Sequence, residues 1–228
     1  MNQHLYPGEF LLHQKYAATP MLLDLIWTHC NIIAEVATDL LDRGTFDKSE
    51  LPRELVIQAC LLHDIGTYAC SGFEWIPNQP PSTKPYIQHG IIGAWLLQQE
   101  GYHQHVVQAA YCHIGVGLSV EDIRSHGISL PEHDFTPHTP LQRFMTYVSK
   151  FHSKAPKFRT GQQIQESLAK FSQEKANAFA ELATIYGAPD LANLEEKYKE
   201  WHRTFTFKVN QLTQGLGVNL HPSGVNLG

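Results

Sequence analysis

Five residues of this chain have types and spacings that favour metal chemistry. Each lies on or next to the apolar side of a predicted helix or at its end: His29, His63, Asp64, His89 and His113. A buried imidazole without a partner costs roughly a few kcal/mol, and a metal ion satisfies several such rings and an ionised carboxylate at once. One buried histidine alone is explained better by a bond to a backbone carbonyl than by a metal ion. The five together predict a metal site.

The elements that must position these residues are helices. Apolar residues recur every three or four positions and strand-like alternation is scarce, so the sequence predicts an all-α protein. Long loops are expected over residues 67–85 and 115–140, where Pro, Gly, Ser and Asn are frequent. Helices are expected over residues 20–42, 86–100, 103–113, 141–153, 161–186 and 190–213. One more is expected over residues 55–62, and it should end at Gly66.

Composition and charge disfavour several classes of protein and partner. The chain has 228 residues, of which 43% are hydrophobic and 17% charged, enough for a real core. Its 22 acidic and 17 basic side chains give a net charge of −5, which disfavours nucleic acid polymers and anionic membranes as partners. The start lacks the layout of a secretory signal and no apolar run reaches the roughly 20 residues that span a bilayer, so a cytoplasmic protein is expected. The 4 cysteines are too widely spaced for a disulfide framework or a zinc ribbon.

The sequence around these five residues resembles the HD-domain superfamily of metal-dependent phosphohydrolases, in its HDIG branch. The matching segments are CLLHDIGTY, QHGIIGAWLL, CHIGVGLS and LPEHDFTPHTPLQRFMTYVSKFHSK, within residues 20–155. The resemblance implies an HD-domain helical bundle over residues 1–155. Apolar residues on one side of the tail helices predict that residues 156–228 form a C-terminal helical extension, which packs on the core or on the partner in a homodimer.

The resemblance also implies how metal ions are held. His29, His63 and Asp64 match the ligands of one divalent ion, and His89 and His113 match those of a second ion that Asp64 bridges. The expected cofactor is one or two ions of Fe, Mn, Co, Ni, Zn or Mg.

One expected ligand is missing from this set. Where the family usually reads YADKFHSK this chain reads YVSKFHSK, so Ser149 replaces an aspartate. A neutral hydroxyl is a poorer ligand than a carboxylate, so the first position should be weakened and the second left intact. His152, one helical turn beyond Ser149 in the predicted helix, is a candidate substitute.

The implied function is hydrolysis of a small phosphate ester, such as a nucleotide, with Asp64 and His63 as catalytic residues. Substrate contacts are expected from Lys84, Lys150, His152 and Lys154. Two alternatives stay open: a degenerate HD domain that binds a metal or metabolite without turnover, for which Ser149 argues, and, less favoured, a di-iron oxygenase. The other histidines are expected at the surface or in loops: His4, His13, His103, His105, His126, His133, His138, His202 and His221.

Overall fold

The computed structural model describes residues 5–213, and in this range the chain is almost entirely helical. The α-helices are α1 (Pro7–Tyr16), α2 (Pro20–Arg43), α3 (Arg53–Leu62), α4 (His89–Gln99), α5 (Gln104–Cys112), α6 (Val120–His126), α7 (Pro140–Val148), α8 (Gly161–Phe171), α9 (Gln173–Tyr186) and α10 (Leu191–Thr213). Short 3-10 helices cover Ile65–Ala69 and Tyr86–Gln88. Two-residue strands, β1 (His152–Ser153) and β2 (Lys157–Phe158), pair antiparallel. The predicted all-α class is confirmed.

Helix α2 lies at the centre of the bundle. It begins where Thr19 accepts a hydrogen bond from the backbone N–H of Leu22, followed by Pro20 at a position where a missing N–H costs nothing. Most of its residues are buried, and it packs against α3, α7 and α10. Because its surroundings are apolar on nearly every side, a polar side chain in its middle must find a partner inside the protein.

The helices differ from the sequence prediction in four respects. Helices α1 and α6 were not predicted; α6 is short, and its start depends on reciprocal bonds between Ser119 and Asp122. The helix expected over residues 161–186 is two helices, because Ser172 adopts an extended conformation between α8 and α9. Helix α7 ends at Val148 instead of residue 153, and the chain turns into the β1–β2 hairpin. Periodicity does not detect such breaks, because the apolar pattern continues through them.

The described part of the C-terminal extension contacts the bundle directly. Trp201 on α10 donates a 3.1 Å hydrogen bond from Nε1 to Asp24 on α2, and the Tyr198 hydroxyl donates a 2.8 Å bond to Glu35. The division of the chain at residue 155, and a homodimer through the extension, stay predictions. Residues 214–228 lie outside the described range. Among the described helices none is long and apolar enough to cross a bilayer.

Candidate metal centre

The five residues singled out from the sequence converge on one carboxylate. His29 lies in the middle of α2, His63 and His113 directly follow α3 and α5, and His89 begins α4. Oδ2 of Asp64 lies 3.0 Å from Nε2 of His29 and 3.3 Å from Nε2 of His63. Oδ1 lies 3.3 Å from Nε2 of His89 and 3.5 Å from Nε2 of His113. These five residues are called the histidine–aspartate cluster below, and all of them are buried.

Two glycines allow the helices to approach closely enough to form the cluster. Gly66 and Gly93 face each other where the 3-10 helix after Asp64 crosses α4. A Cβ atom at Gly66 would overlap with the carbonyl oxygen of His89 and the backbone of Gly93. The crossing therefore requires glycine at position 66, and it brings Asp64 next to His89.

Three of the histidines have a tautomer that is fixed by the backbone. Nδ1 of His63, His89 and His113 each donates a hydrogen bond of 2.7 Å to the carbonyl oxygen of the residue three positions earlier. A carbonyl oxygen only accepts, so Nδ1 must carry the hydrogen. In the neutral ring Nε2 then holds a lone pair, and this atom faces Asp64.

Such an arrangement of lone pairs requires a cation. Nε2 of His89 and Nε2 of His113 are only 3.0 Å apart, and neither can donate to the other while both rings are neutral. Burial lowers the pKa of His89 to about 3 and also lowers the pKa of His113, which keeps the rings neutral. Oδ1 of Asp64 is fully buried and has no hydrogen-bond partner. The residues fit a divalent ion, and two groups have ligand atoms within 4.8 Å of one another: His29, His63 and Asp64; and Asp64, His89 and His113.

The Oδ2 side of Asp64 already has a cationic neighbour. The Lys154 ammonium forms an ion pair with Oδ2, and its side chain is 17% exposed. Burial opposes the charged form of Lys154, but the Asp64 charge outweighs it and raises the pKa of the lysine. Burial alone would raise the pKa of Asp64, whereas Lys154 and the neighbouring imidazoles hold it well below its usual value. Asp64 is therefore ionised, and the Lys154 ammonium balances its charge.

Ser149 takes no visible part in the cluster. It follows α7 directly, and its hydroxyl donates a 3.4 Å hydrogen bond to the carbonyl oxygen of Thr146. Both candidate metal groups among the described residues contain a single carboxylate, that of Asp64. The Oδ2 side thus has fewer anionic ligands than the family pattern implies.

The four residues predicted to contact substrate lie at different positions relative to Asp64. Lys150 is buried and donates a 2.7 Å hydrogen bond to the carbonyl oxygen of His113; burial and then the charge of Lys154 lower its pKa to about 7. Lys84 is exposed on the loop before α4, where its backbone bonds to Ser71 and Ser82. Lys154 is the predicted lysine whose ammonium reaches Asp64.

His152 lies behind His29. Its Nδ1 is 2.8 Å from Nδ1 of His29, on the side of that ring away from Asp64. The helical-turn argument that made it a substitute ligand was wrong, because α7 ends before it and His152 belongs to β1. The β1–β2 hairpin places the His152 ring behind His29.

Sequence reasoning missed other residues near the cluster. Tyr86 stacks on His89 with ring centroids 4.6 Å apart, and its ring lies 5.5 Å from the Lys154 ammonium. His202 was expected at the surface, but its Nε2 lies 3.1 Å from Nε2 of His152. His13 was expected there too and is fully buried, bonded to Tyr68 and to the carbonyl oxygen of Leu61. No spacing signal marks contacts between residues so far apart in the chain.

Comparison with known families finds a match over part of the chain. The family model described as "HD domain" matches residues 26–131. This part of the chain is therefore similar to HD domains, in agreement with the sequence motifs. The matched range includes all five residues of the histidine–aspartate cluster and ends before α7.

Two curated relatives align with larger parts of the chain. An uncharacterized protein of Methanocaldococcus jannaschii is 29% identical over 119 residues, which is 52% of this chain and 61% of the relative. A tRNA (cytidine(56)-2'-O)-methyltransferase of Thermoplasma volcanium is 24% identical over 168 residues, which is 74% of this chain and 42% of the relative. The aligned regions thus span roughly half the length of these relatives.

Solved structures similar to this chain include the HD domain of the L. monocytogenes phosphodiesterase PgpH. The alignment has 15% sequence identity and a TM-score of 0.43, and covers 88% of this chain and 100% of the PgpH chain. The same domain in complex with cyclic-di-AMP gives 16% identity and a TM-score of 0.40, and covers 89% and 100% of the two chains.

Proposed function

We propose that this protein is a metal-dependent phosphohydrolase that acts on a small phosphate ester, such as a nucleotide. The observation that carries the proposal is the convergence of the fixed Nε2 lone pairs of His63, His89 and His113 on the ionised carboxylate of Asp64. An arrangement of this kind is destabilising without a cation and stabilising around one. The HD domain that contains it supports the same class of chemistry.

Asp64, His89 and His113 would hold an ion at Oδ1, and His29, His63 and Asp64 would hold one at Oδ2. A bound divalent ion would supply a hydroxide from water at neutral pH and polarise a phosphoryl oxygen. Asp64 holds the two positions together, because each of its oxygens faces a different pair of histidines. His63 is oriented by its bond to the Cys60 carbonyl, so its ring cannot turn away.

The protein's own charges suit a phosphate ester. Lys154 and Asp64 cancel each other, so the cluster with neutral imidazoles has no net charge before an ion enters. With a divalent ion the site becomes strongly cationic, which favours a phosphate dianion. The Lys154 ammonium is the group that would then turn from Asp64 to a phosphate oxygen, and Tyr86 beside it offers an aromatic face for the rest of the substrate.

The proposal is tested by elemental analysis of the purified protein and by a phosphatase screen. The screen covers mono- and dinucleotides with added Mn²⁺, Co²⁺, Ni²⁺ or Mg²⁺. We expect stoichiometric metal and turnover in the wild type, and a lower metal content and loss of turnover in His113→Gln. His103→Gln, at an exposed histidine before α5, is the matched control and should behave as the wild type. Metal binding without turnover on any phosphate ester would contradict the proposal, and iron with oxygen consumption would point to the oxygenase alternative.

A degenerate binding protein is the second candidate function. Two observations favour it: Ser149 leaves the Oδ2 side one carboxylate short, and the Lys154 ammonium contacts the Asp64 oxygen on that side. If this candidate is correct, the wild type binds metal without turnover and Ser149→Asp gains phosphatase activity. Turnover by the wild type would eliminate it.

A further inference from the structure

Three histidines form a continuous chain from the histidine–aspartate cluster to the C-terminal helix. Nδ1 of His29 lies 2.8 Å from Nδ1 of His152, and Nε2 of His152 lies 3.1 Å from Nε2 of His202. His29 and His152 are buried, and His202 on α10 is half-buried. The chain leaves the cluster on the side opposite Asp64 and leads out of the core.

The packing around the chain holds its rings in place. The rings of His152 and His202 are stacked at 12° with centroids 5.3 Å apart, and the Phe158 ring packs edge-on against both. The bond from Trp201 to Asp24 fixes the same part of α10 on α2. The chain is therefore part of the tertiary structure and not a chance approach of mobile side chains.

Hydrogen-bond chemistry allows only two states for such a chain. A bond between two imidazoles needs one N–H and one lone pair, and a neutral imidazole has one of each. Burial disfavours the charged form of an imidazole, and His29 and His152 are buried, so the chain is one of neutral rings. Once the tautomer of His29 is chosen, the tautomers of His152 and His202 follow.

The two states differ at the atom that faces Asp64. In the first state the hydrogens are on Nε2 of His29, Nδ1 of His152 and Nε2 of His202, and His29 offers a hydrogen to the carboxylate. In the second state they are on Nδ1 of His29, Nε2 of His152 and Nδ1 of His202. Only the second state leaves a lone pair on Nε2 of His29 for a metal ion.

We propose that His152 and His202 are positioning residues that set the tautomer of His29, and that the three rings change tautomer together when a metal ion binds. When the site takes up an ion, the proton on Nε2 of His29 is released to the solvent. His29 takes a proton at Nδ1 from His152, His152 takes one at Nε2 from His202, and His202 takes one at Nδ1 from water. The number of protons on the chain is unchanged. The inference rests on the metal binding in the proposed function, and it makes α10 part of the metal site.

The first test observes the tautomers directly. Side-chain ¹⁵N spectra of the full chain are recorded without metal and with saturating Zn²⁺, and the ring signals are assigned with His29→Gln, His152→Asn and His202→Phe. We expect the hydrogen of His202 to move from Nε2 to Nδ1 when Zn²⁺ binds at the cluster. A wild type that binds Zn²⁺ with no change at His202 would overturn the inference and leave the proposed function standing. A wild type that binds no Zn²⁺ would refute the proposed function, and the switch with it.

The second test separates positioning from packing by Zn²⁺ affinity, measured by calorimetry. His152→Phe removes the partner of His29 and should weaken binding of the ion at the Oδ2 side, the weaker of the two positions, about 10- to 100-fold, the usual effect of losing a group that orients a ligand. His152→Asn keeps an oxygen acceptor for Nδ1 of His29 and should stay within about threefold of the wild type. His13→Asn is the matched control, since His13 is equally buried with two hydrogen bonds of its own. Equal losses in His152→Phe and His152→Asn would refute the positioning role, and thermal unfolding of each variant shows whether it is folded.

Discussion

The two sides of Asp64 differ in how their ligands are fixed. On the Oδ1 side, His89 and His113 both bond to carbonyl oxygens at helix ends, so their tautomers cannot change. On the Oδ2 side, His29 bonds to another imidazole, and Lys154 neutralises the carboxylate. One carboxylate therefore has one side preformed for a cation and one side on which His63 is fixed but the tautomer of His29 and the charge are adjustable. The Oδ1 side should bind metal more tightly.

The largest effect should come from the carboxylate that both sides share. Asp64→Asn keeps the shape of the side chain and removes its charge, so we expect metal binding to fall at least about a hundredfold, which corresponds to roughly 2.7 kcal/mol. Metal affinity is measured by calorimetry with Mn²⁺. Asp134→Asn is the matched control, since this exposed carboxylate serves a loop by accepting a bond from the Thr136 backbone. Retained affinity in Asp64→Asn would show that the two sides do not depend on a shared ligand.

The second-largest effect should distinguish the metal affinities of the two sides of Asp64. His113→Gln should weaken the first Mn²⁺ bound by about tenfold or more, whereas His29→Gln should change it by less than about threefold. The reason is that the Oδ1 side needs no rearrangement, while the Oδ2 side must displace Lys154. The measurement is the tighter dissociation constant of each variant. A larger loss in His29→Gln would reverse the order of the two sides.

Two substitutions should raise the metal affinity of the Oδ2 side by a smaller factor. Lys154→Met removes the ammonium that competes for Oδ2 and should raise the affinity for a second ion several-fold, about 1 kcal/mol, as should Ser149→Asp by adding a carboxylate. Lys157→Met, at an exposed lysine in the same hairpin, is the control. Metal content per chain is measured by elemental analysis after dialysis. Unchanged content in Lys154→Met and Ser149→Asp would mean that neither residue limits the Oδ2 side.

A separate effect, measured on folding and not on metal affinity, is a dependence of stability on pH. Burial lowers the pKa of His13 to about 4 from its usual 6.5, so the folded state binds fewer protons than the unfolded state between these values. The contribution of His13 is therefore complete above about pH 6.5 and is lost as the pH falls towards 4. Urea unfolding of the metal-free protein between pH 7.5 and 4 should show this loss, and His13→Asn should reduce the slope by about one proton. An identical dependence of stability on pH in His13→Asn would contradict the assignment of this proton uptake to His13.

The cluster was predictable from sequence because its members sit at helix ends or on apolar helix faces. His63 and His113 follow buried helices, where a polar ring has few partners other than a carbonyl or a metal ion. Spacing could not reveal Tyr86 or His202. Tyr86 lies in a 3-10 helix of a loop, and His202 lies 50 residues from its partner His152 on a helix that looks amphipathic.

Residue types and periodicity by themselves determined the all-α class, the main helices and the five cluster residues, since burial of polar rings is visible in the apolar pattern around them. The tertiary structure alone decided that α7 stops at Val148, that Lys154 contacts Asp64 and that His152 stands behind His29. The physical reason is that hydrogen bonds and ion pairs depend on positions to within a few tenths of an ångström. Those positions are set by how the helices and the β1–β2 hairpin pack, which no local pattern encodes.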